Sequence, residues 1–278
     1  MTAAKTNVTA IVGELNSMTS ARNTAINERD GYSKALIFMI GFTSIPTIWY
    51  NSTTLILVNK ASISVTTASL NQVTRAIIVG NYTPTGLIYS ELKNLESLHM
   101  FAGTMTENVQ DAISDLTKTE MKLKYLEIPQ WGPSIKASAF AHTNEDKAKS
   151  VQELVGFEDV TTVGSYAFDY CAGLKSVSFP KLTTAGAYAF DNCSGLKSLS
   201  FPKLTYAGNW AFCYCTALES LSLPELTATG IGAFCYCGKL TTLNVPKLTV
   251  DKAGSYTFIG VPKSAIPPGF DIPKFTQW

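Results

Sequence analysis

Residues 166–258 repeat every 22 residues, and that period constrains the fold more tightly than any other feature of the chain. Aligned on the aromatic that closes each unit, the copies read Tyr166-Ala167-Phe168, Tyr188-Ala189-Phe190, Trp210-Ala211-Phe212 and Gly232-Ala233-Phe234. After two extra residues comes Tyr256-Thr257-Phe258. Other columns keep step. Gly164, Gly186, Gly208, Gly230 and Gly254 precede the Phe by four residues, Cys171, Cys193, Cys215 and Cys237 follow it by three, and Leu174, Leu196, Leu218 and Leu240 by six. Val177, Leu199, Leu221 and Leu243 come next, then Pro180, Pro202, Pro224 and Pro246, then Leu182, Leu204, Leu226 and Leu248.

Within one unit Val177 and Phe179 alternate with Ser176 and Ser178, the period-two pattern of a short half-buried strand. Pro180 has no amide hydrogen for a ladder and marks the strand's end. Gly186 supplies a tight bend or a close backbone approach, and Tyr188-Ala189-Phe190 returns as a helical turn or an irregular segment. One unit cannot bury its apolar side alone, whereas stacked units cover each other. A period in the twenties predicts a leucine-rich-repeat β solenoid of α+β repeats, about 22 residues per rung.

The string Tyr-Ala-Phe-x-x-Cys-x-x-Leu-x-x-Leu-x-Phe-Pro-x-Leu, as it stands at residues 188–204, resembles the BspA-type leucine-rich repeat. The resemblance is close over 151–258. Such repeats occur in bacterial surface proteins, protist surface antigens and the tail or head-fibre proteins of phages infecting gut bacteria. The family implies an adhesive or structural role and no chemistry.

Upstream, degenerate rungs centre on Leu55-Ile56-Leu57, Ile77-Ile78-Val79, Leu98-His99-Met100, Leu126-Glu127-Ile128 and Leu154. The expected organisation is an N-terminal helical attachment or oligomerisation segment (1–49), a solenoid (50–260) and a Pro/aromatic cap (261–278). Residues 1–30 read as one helix, with Val8, Ile11, Leu15 and Met18 on a single stripe. That stripe serves either as a cap on the solenoid or as an assembly surface. The stretch Val12 to Glu28 resembles the N-terminal segment of phage tail and head-fibre proteins, which implies attachment or trimerisation. Residues 107–116 form a further helix candidate, and the polar tract 143–150 an exposed loop or helical turn. The run Ala35 to Phe42 is apolar but too short to span a membrane, so no membrane insertion is expected. No secretory signal is read in residues 2–30. In the tail, Phe270, Phe275 and Trp278 are suited either to cover the last rung or to dock a neighbour.

Lys plus Arg number 22 against 21 Asp plus Glu, which gives no pull on nucleic acid. All six cysteines lie in the repeats, Cys213 and Cys235 standing two residues before members of the column. A fixed rung position first of all wants a small buried apolar side chain, so a reduced ladder is expected. Disulfides and a Cys-x-Cys metal pair are the alternatives. Nothing resembles a nucleophile–base set, a phosphate loop, a cofactor site or paired carboxylates at repeat positions, and no enzymatic activity is expected.

Two surfaces remain as binding candidates. Ser176, Ser178, Ser198, Ser200, Ser220, Ser222, Thr242 and Asn244 face outward from the strands, either as plain solvation or as a neutral face for glycan or protein. Tyr170, Tyr214, Tyr236 and Trp131 are the exposed aromatic candidates. The leading expectation is a non-enzymatic phage virion fibre or decoration protein, likened to a homotrimer with other virion proteins as partners and assembled in the host cytoplasm. The alternative is a bacterial surface or secreted BspA-like adhesin.

Overall fold

The computed structural model describes residues 48–49, 54–58, 72–79, 94–101, 123–128, 131–142, 151–270 and 273–276. The stripe Val8, Ile11, Leu15 and Met18, the run 35–42, the helix candidate at 107–116, the loop at 143–150 and Trp278 lie outside these residues. The chain falls into two compact units, Met1–Thr104 and Met105–Trp278.

In the first unit β1 (Ile48–Trp49) pairs antiparallel with β2 (Thr54–Val58). From β2 through β3 (Arg75–Val79) to β4 (Ser97–Phe101) the pairing is parallel. The register aligns Leu55 with Ala76 and Ala76 with Leu98, steps of 21 and 22 residues (76 − 55 and 98 − 76). The rung period therefore persists where the consensus residues have gone. Val73, Ala76, Leu95 and Leu98 are buried.

The second unit has two ranks of short parallel strands. On one side β5 (Tyr125–Glu127) pairs with β7 (Glu153–Val155) with Leu126 opposite Leu154. On the other lie β6 (Ser134–Ile135), β8 (Thr162–Val163), β9 (Thr184–Ala185), β11 (Tyr206–Ala207) and β13 (Ala228–Thr229) in consecutive pairs. The first rank resumes with β10 (Ser198–Ser200), β12 (Ser220–Ser222) and β14 (Thr242–Asn244) in exact 22-residue register. The strand expected around Val177 is reduced to one bridge, Glu153 to Ser176. Along the second rank Thr161, Thr183, Thr205 and Thr227 each donate a hydroxyl to a carbonyl one rung back, at 3.0–3.2 Å.

Between the ranks runs a ladder of buried rings. Phe140, Phe168, Phe190, Phe212, Phe234 and Phe258 follow one another with centroids 5.0 to 5.9 Å apart. Phe157, Phe179 and Phe201 form a second ladder beside it. At the end of the unit Phe270 and Phe275 meet Phe258 edge-on, at 5.5 and 6.4 Å. There α1 (Pro273–Thr276) offers its Lys274 and Phe275 carbonyls to the amides of Tyr256 and Phe258, as a further rung would. Both the apolar cross-section and the open edge are thereby covered.

The aromatic-Ala-Phe segment is neither helical nor irregular. Tyr166, Phe168 and Tyr170 donate to the Ala187, Ala189 and Asp191 carbonyls of the next rung, a ladder that uses every second amide. Residues on both sides of the Phe adopt left-handed backbone: Tyr166, Tyr188, Trp210 and Tyr256 before it, Tyr170, Asn192, Tyr214 and Tyr236 after it, with φ of 51–62°. Such a conformation costs a side-chain-bearing residue about 1–3 kcal/mol, and ring stacking returns about 0.5–1.5 kcal/mol per pair. Gly232 and Gly260 take the same conformation, and there the ring of the preceding rung lies over the glycine. A Cβ at Gly232 would stand 2.6 Å from the Trp210 ring, and one at Gly260 2.8 Å from that of Tyr236. The glycine column before the Phe answers to close backbone approach, since a Cβ at Gly208 would stand 2.6 Å from Ala187 N.

The all-reduced cysteine ladder requires a correction. Cys171, Cys193, Cys215 and Cys237 are free and buried, and their thiols donate to the carbonyls of Phe140, Phe168, Phe190 and Phe212 at 3.0–3.2 Å. Cys213 and Cys235, however, form a disulfide across adjacent rungs, with Cα atoms 4.6 Å apart. One rung step of about 4.8 Å falls within disulfide reach. The column thiols stay unbridged, each donating to a carbonyl of an earlier rung. Alkylation under denaturing, non-reducing conditions should therefore modify four thiols, rising to six after reductant. Six labels without reductant would exclude the bridge.

Candidate functional site

The strand face assembles as the alternation requires. Ser198, Ser220 and Thr242 align, as do Ser200, Ser222 and Asn244. Leu199 and Leu221 point inward between them. Asn244 Nδ2 donates to Ser222 Oγ at 3.2 Å, so the row is partly knitted to itself. Ser176 and Ser178 are exposed but lie in the rung that forms only the single bridge. Ser198, Ser200, Ser220, Ser222, Thr242 and Asn244 bring no charge or ring, whereas earlier in the same rank Tyr125 is a ring and Glu153 an exposed carboxylate.

The tyrosine candidates lie on a different edge, built by the left-handed columns. Before the Phe, Tyr166 stacks on Tyr188 at 4.7 Å and Tyr188 on Trp210 at 5.0 Å. After it, Tyr214 stacks on Tyr236 at 4.6 Å. Tyr166 and Tyr214 are 42% and 43% exposed, whereas Tyr170 and Tyr236 are half-buried. Trp131 does not belong with them. It is 1% exposed, packed on Phe140 and Phe157 with Nε1 donating to the Ser134 carbonyl, so its indole completes the core of the early rung.

Between the two aromatic columns runs the residue that directly follows each Phe: Asp169, Asp191, Cys213, Cys235, Ile259. Its C-terminal half is apolar, the Cys213–Cys235 disulfide and Ile259 being buried under Trp210, Tyr236 and Tyr256. Its N-terminal half is a stacked pair of carboxyls. Asp191 is only 9% exposed; its Oδ2 accepts from Asn192 Nδ2 at 3.0 Å, and its Oδ1 has no hydrogen-bond partner. The Oδ1 of Asp169 is likewise buried and unpartnered. Burial, and then the charge of Asp169, raise the Asp191 pKa to about 7. Burial raises that of Asp169 to about 6. The Tyr188 and Tyr214 hydroxyls are shifted upward too, first by burial and then by neighbours that include Asp191.

The expectation of no paired carboxylates at repeat positions is thus corrected. The signal was one column after the Phe, and it was obscured because the same column turns to cysteine two rungs later. Among the described residues no three His, Cys, Asp or Glu side chains gather to hold a metal ion. No described helix is long and apolar enough to cross a membrane.

The family comparison agrees with the repeat architecture. The family described as BspA type Leucine rich repeat region matches residues 134–263 in 6 copies. Over those residues the chain is similar to that repeat family. Among solved structures the chain is similar to a leucine-rich repeat protein from Bacteroides ovatus ATCC 8483, at 15% identity and a TM-score of 0.45. The match covers 80% of this chain and 51% of that one, so the chain spans about half the length of that protein. No curated protein matches the chain. The virion reading is corrected: the family match is to a BspA-type repeat region and names no fibre, and the virion partners, the trimer and the virion location fall with that reading. The short N-terminal likeness that carried that reading lies outside the described residues.

Proposed function

We propose that the chain is a bacterial surface or secreted BspA-like adhesin, which displays its repeat unit to bind a protein on another cell. The observation that carries this reading is the aromatic edge. A scaffold that satisfies its core internally still leaves Tyr166 and Tyr214 more than two-fifths exposed beside a half-buried polar column. Tyrosine of that kind is the residue type that protein interfaces favour. The Cys213–Cys235 bridge favours an oxidising compartment, where disulfides persist. The strand face of Ser198, Ser200, Ser220, Ser222, Thr242 and Asn244 then serves as a neutral flank, and Tyr170, Tyr214 and Tyr236 belong to the contact surface.

Two measurements test the proposal. Antibody raised against the full chain should label intact source cells or their culture medium without permeabilisation. Fluorescent full-length chain should bind cultured host cells and lose that binding after the cells are treated with protease. Labelling confined to permeabilised cells, or cell binding that survives protease but not glycosidase, would overturn the corresponding half.

A further inference from the structure

Two adjacent rungs carry the same charged frame. Leu174-Lys175-Ser176-Val177-Ser178-Phe179-Pro180-Lys181 is followed 22 residues later by Leu196-Lys197-Ser198-Leu199-Ser200-Phe201-Pro202-Lys203. In both, the serines are exposed and an exposed lysine stands at each end of the serine pair. Lys197 therefore follows Lys175, and Lys203 follows Lys181, by one rung step of about 5 Å along the stack. Outside these two rungs the columns lose the positive charge: Gln152 and Glu219 bound the first, Asp159 and Glu225 the second. Lys181 is held by Asp159 at 2.6 Å, and Glu225 is taken by Lys247 at 2.6 Å. Lys175, Lys197 and Lys203 enter no ion pair among the described residues. The exposed Glu153, bridged to Ser176 from one rung earlier, closes the patch on that side as Glu219 does on the other.

The seam between these two rungs is also unpaired in the strand rank. From Leu199 on, each rung is laddered to the next, Phe201 donating to the Ser222 carbonyl and Glu219 to that of Lys197. One step earlier the corresponding amides of Phe179 and Lys197 have no backbone partner among the described residues, and the sheet order breaks there. Like charges set opposite each other weaken a sheet, and here they meet at both ends of one seam. An acidic chain laid across it neutralises three unpaired ammonium groups. The whole chain has a formal charge of only +1, so affinity for acid has to come from this clustering rather than from net charge. The serine rows offer a sugar no ring to stack on. Hydroxyls framed by lysines match the backbone and carboxylates of an extended acidic peptide.

We propose that Lys175, Lys197 and Lys203, with the serines they frame, form a docking surface for an extended acidic segment of a partner protein. This surface is separate from the aromatic edge, and it stands whether or not the chain acts as an adhesin.

The probe is a rhodamine-labelled Glu-Ser-Glu-Ser-Glu-Ser-Glu-Ser peptide titrated into the full chain and read by fluorescence anisotropy. Binding should be saturable and should weaken severalfold as the ionic strength rises to about 0.15 M, where exposed charges are screened. The Gln-Ser counterpart should not bind. Lys197→Glu combined with Lys203→Glu should weaken binding about tenfold or more. Both columns already hold Glu in the following rung, so the variant should show an intact melting curve. Lys239→Glu combined with Lys252→Glu makes the same change of charge at exposed lysines elsewhere and should leave binding unchanged. Unchanged binding by the folded Lys197/Lys203 variant, an equal loss in the Lys239/Lys252 control, or equal binding of the Gln-Ser peptide would each overturn the surface. Tighter binding of a galacturonate oligosaccharide of equal charge, lost in the Lys197/Lys203 variant, would assign the lysines to an acidic glycan and overturn the protein partner.

Discussion

Phe190→Ala should lower the stability of the repeat unit by about 3–5 kcal/mol, read as a shift of the urea midpoint with unchanged slope. Phe190 is fully buried, with Phe168 at 5.2 Å and Phe212 at 5.3 Å on its two faces and Phe179 and Phe201 at 6.3 and 5.7 Å beside it. Truncation removes the ring's transfer free energy, and the rigid rungs on either side cannot collapse into the space. From sequence alone the last ring, Phe258, should matter less, having no further repeat to cover it. The tail changes that expectation. Phe258 is as buried as Phe190, because Phe270 and Phe275 close over it. Phe258→Ala should therefore cost a comparable amount, and Phe275→Ala should reproduce much of the same loss. A loss under about 1 kcal/mol at Phe190 would mean that the ladder relaxes as a liquid would, against the packing of protein interiors.

The columns that make the core were readable because a solenoid writes each buried position many times over. Phe, Leu and the spaced Cys recur at 22 residues, so one rung's burial predicts the next. Even the degenerate rungs kept their strands, since Leu55, Ala76 and Leu98 align although the Pro and Cys signals around them are lost. What stayed hidden depends on relations between rungs rather than on the pattern within one. Nothing in a single Tyr-Ala-Phe says that the tyrosine is left-handed, because the conformation holds only while neighbouring rungs stack and pair with it. Cys213 and Cys235 look like two more ladder thiols until their rungs are laid face to face. Trp131 reads as an exposed aromatic in an insertion, but it fills the width that Phe140 and Phe157 leave open. The acidic pair was missed for a related reason. Asp at a fixed rung position suggests solvent, whereas Asp191 is buried in the stack.

Asp191→Asn should stabilise the protein at pH 8 by about 2–4 kcal/mol and leave it nearly unchanged at pH 4. The carboxyl is raised from 3.8 to about 7, first by burial and then by Asp169, while Asn192 works the other way. A folded-state value above the unfolded one means that the native protein holds its proton where the unfolded chain has released it. This contribution to stability is complete below about pH 4, is lost as the pH climbs towards 7, and is level above that. Asp169, raised to about 6, adds a smaller loss over a narrower window because it is half-exposed. The other titratable groups whose charges reach Asp191 include Tyr188, Tyr214, Cys193 and Cys215, and their own values are all raised, so they stay neutral through this range. Wild-type protein should accordingly melt higher at pH 5 than at pH 8, and the variant should lose most of that difference. Asparagine keeps the shape and removes the charge, so a gain at pH 8 isolates desolvation as its source. If the variant were instead less stable at pH 8, the ionised carboxylate would have to be satisfied by the fold itself.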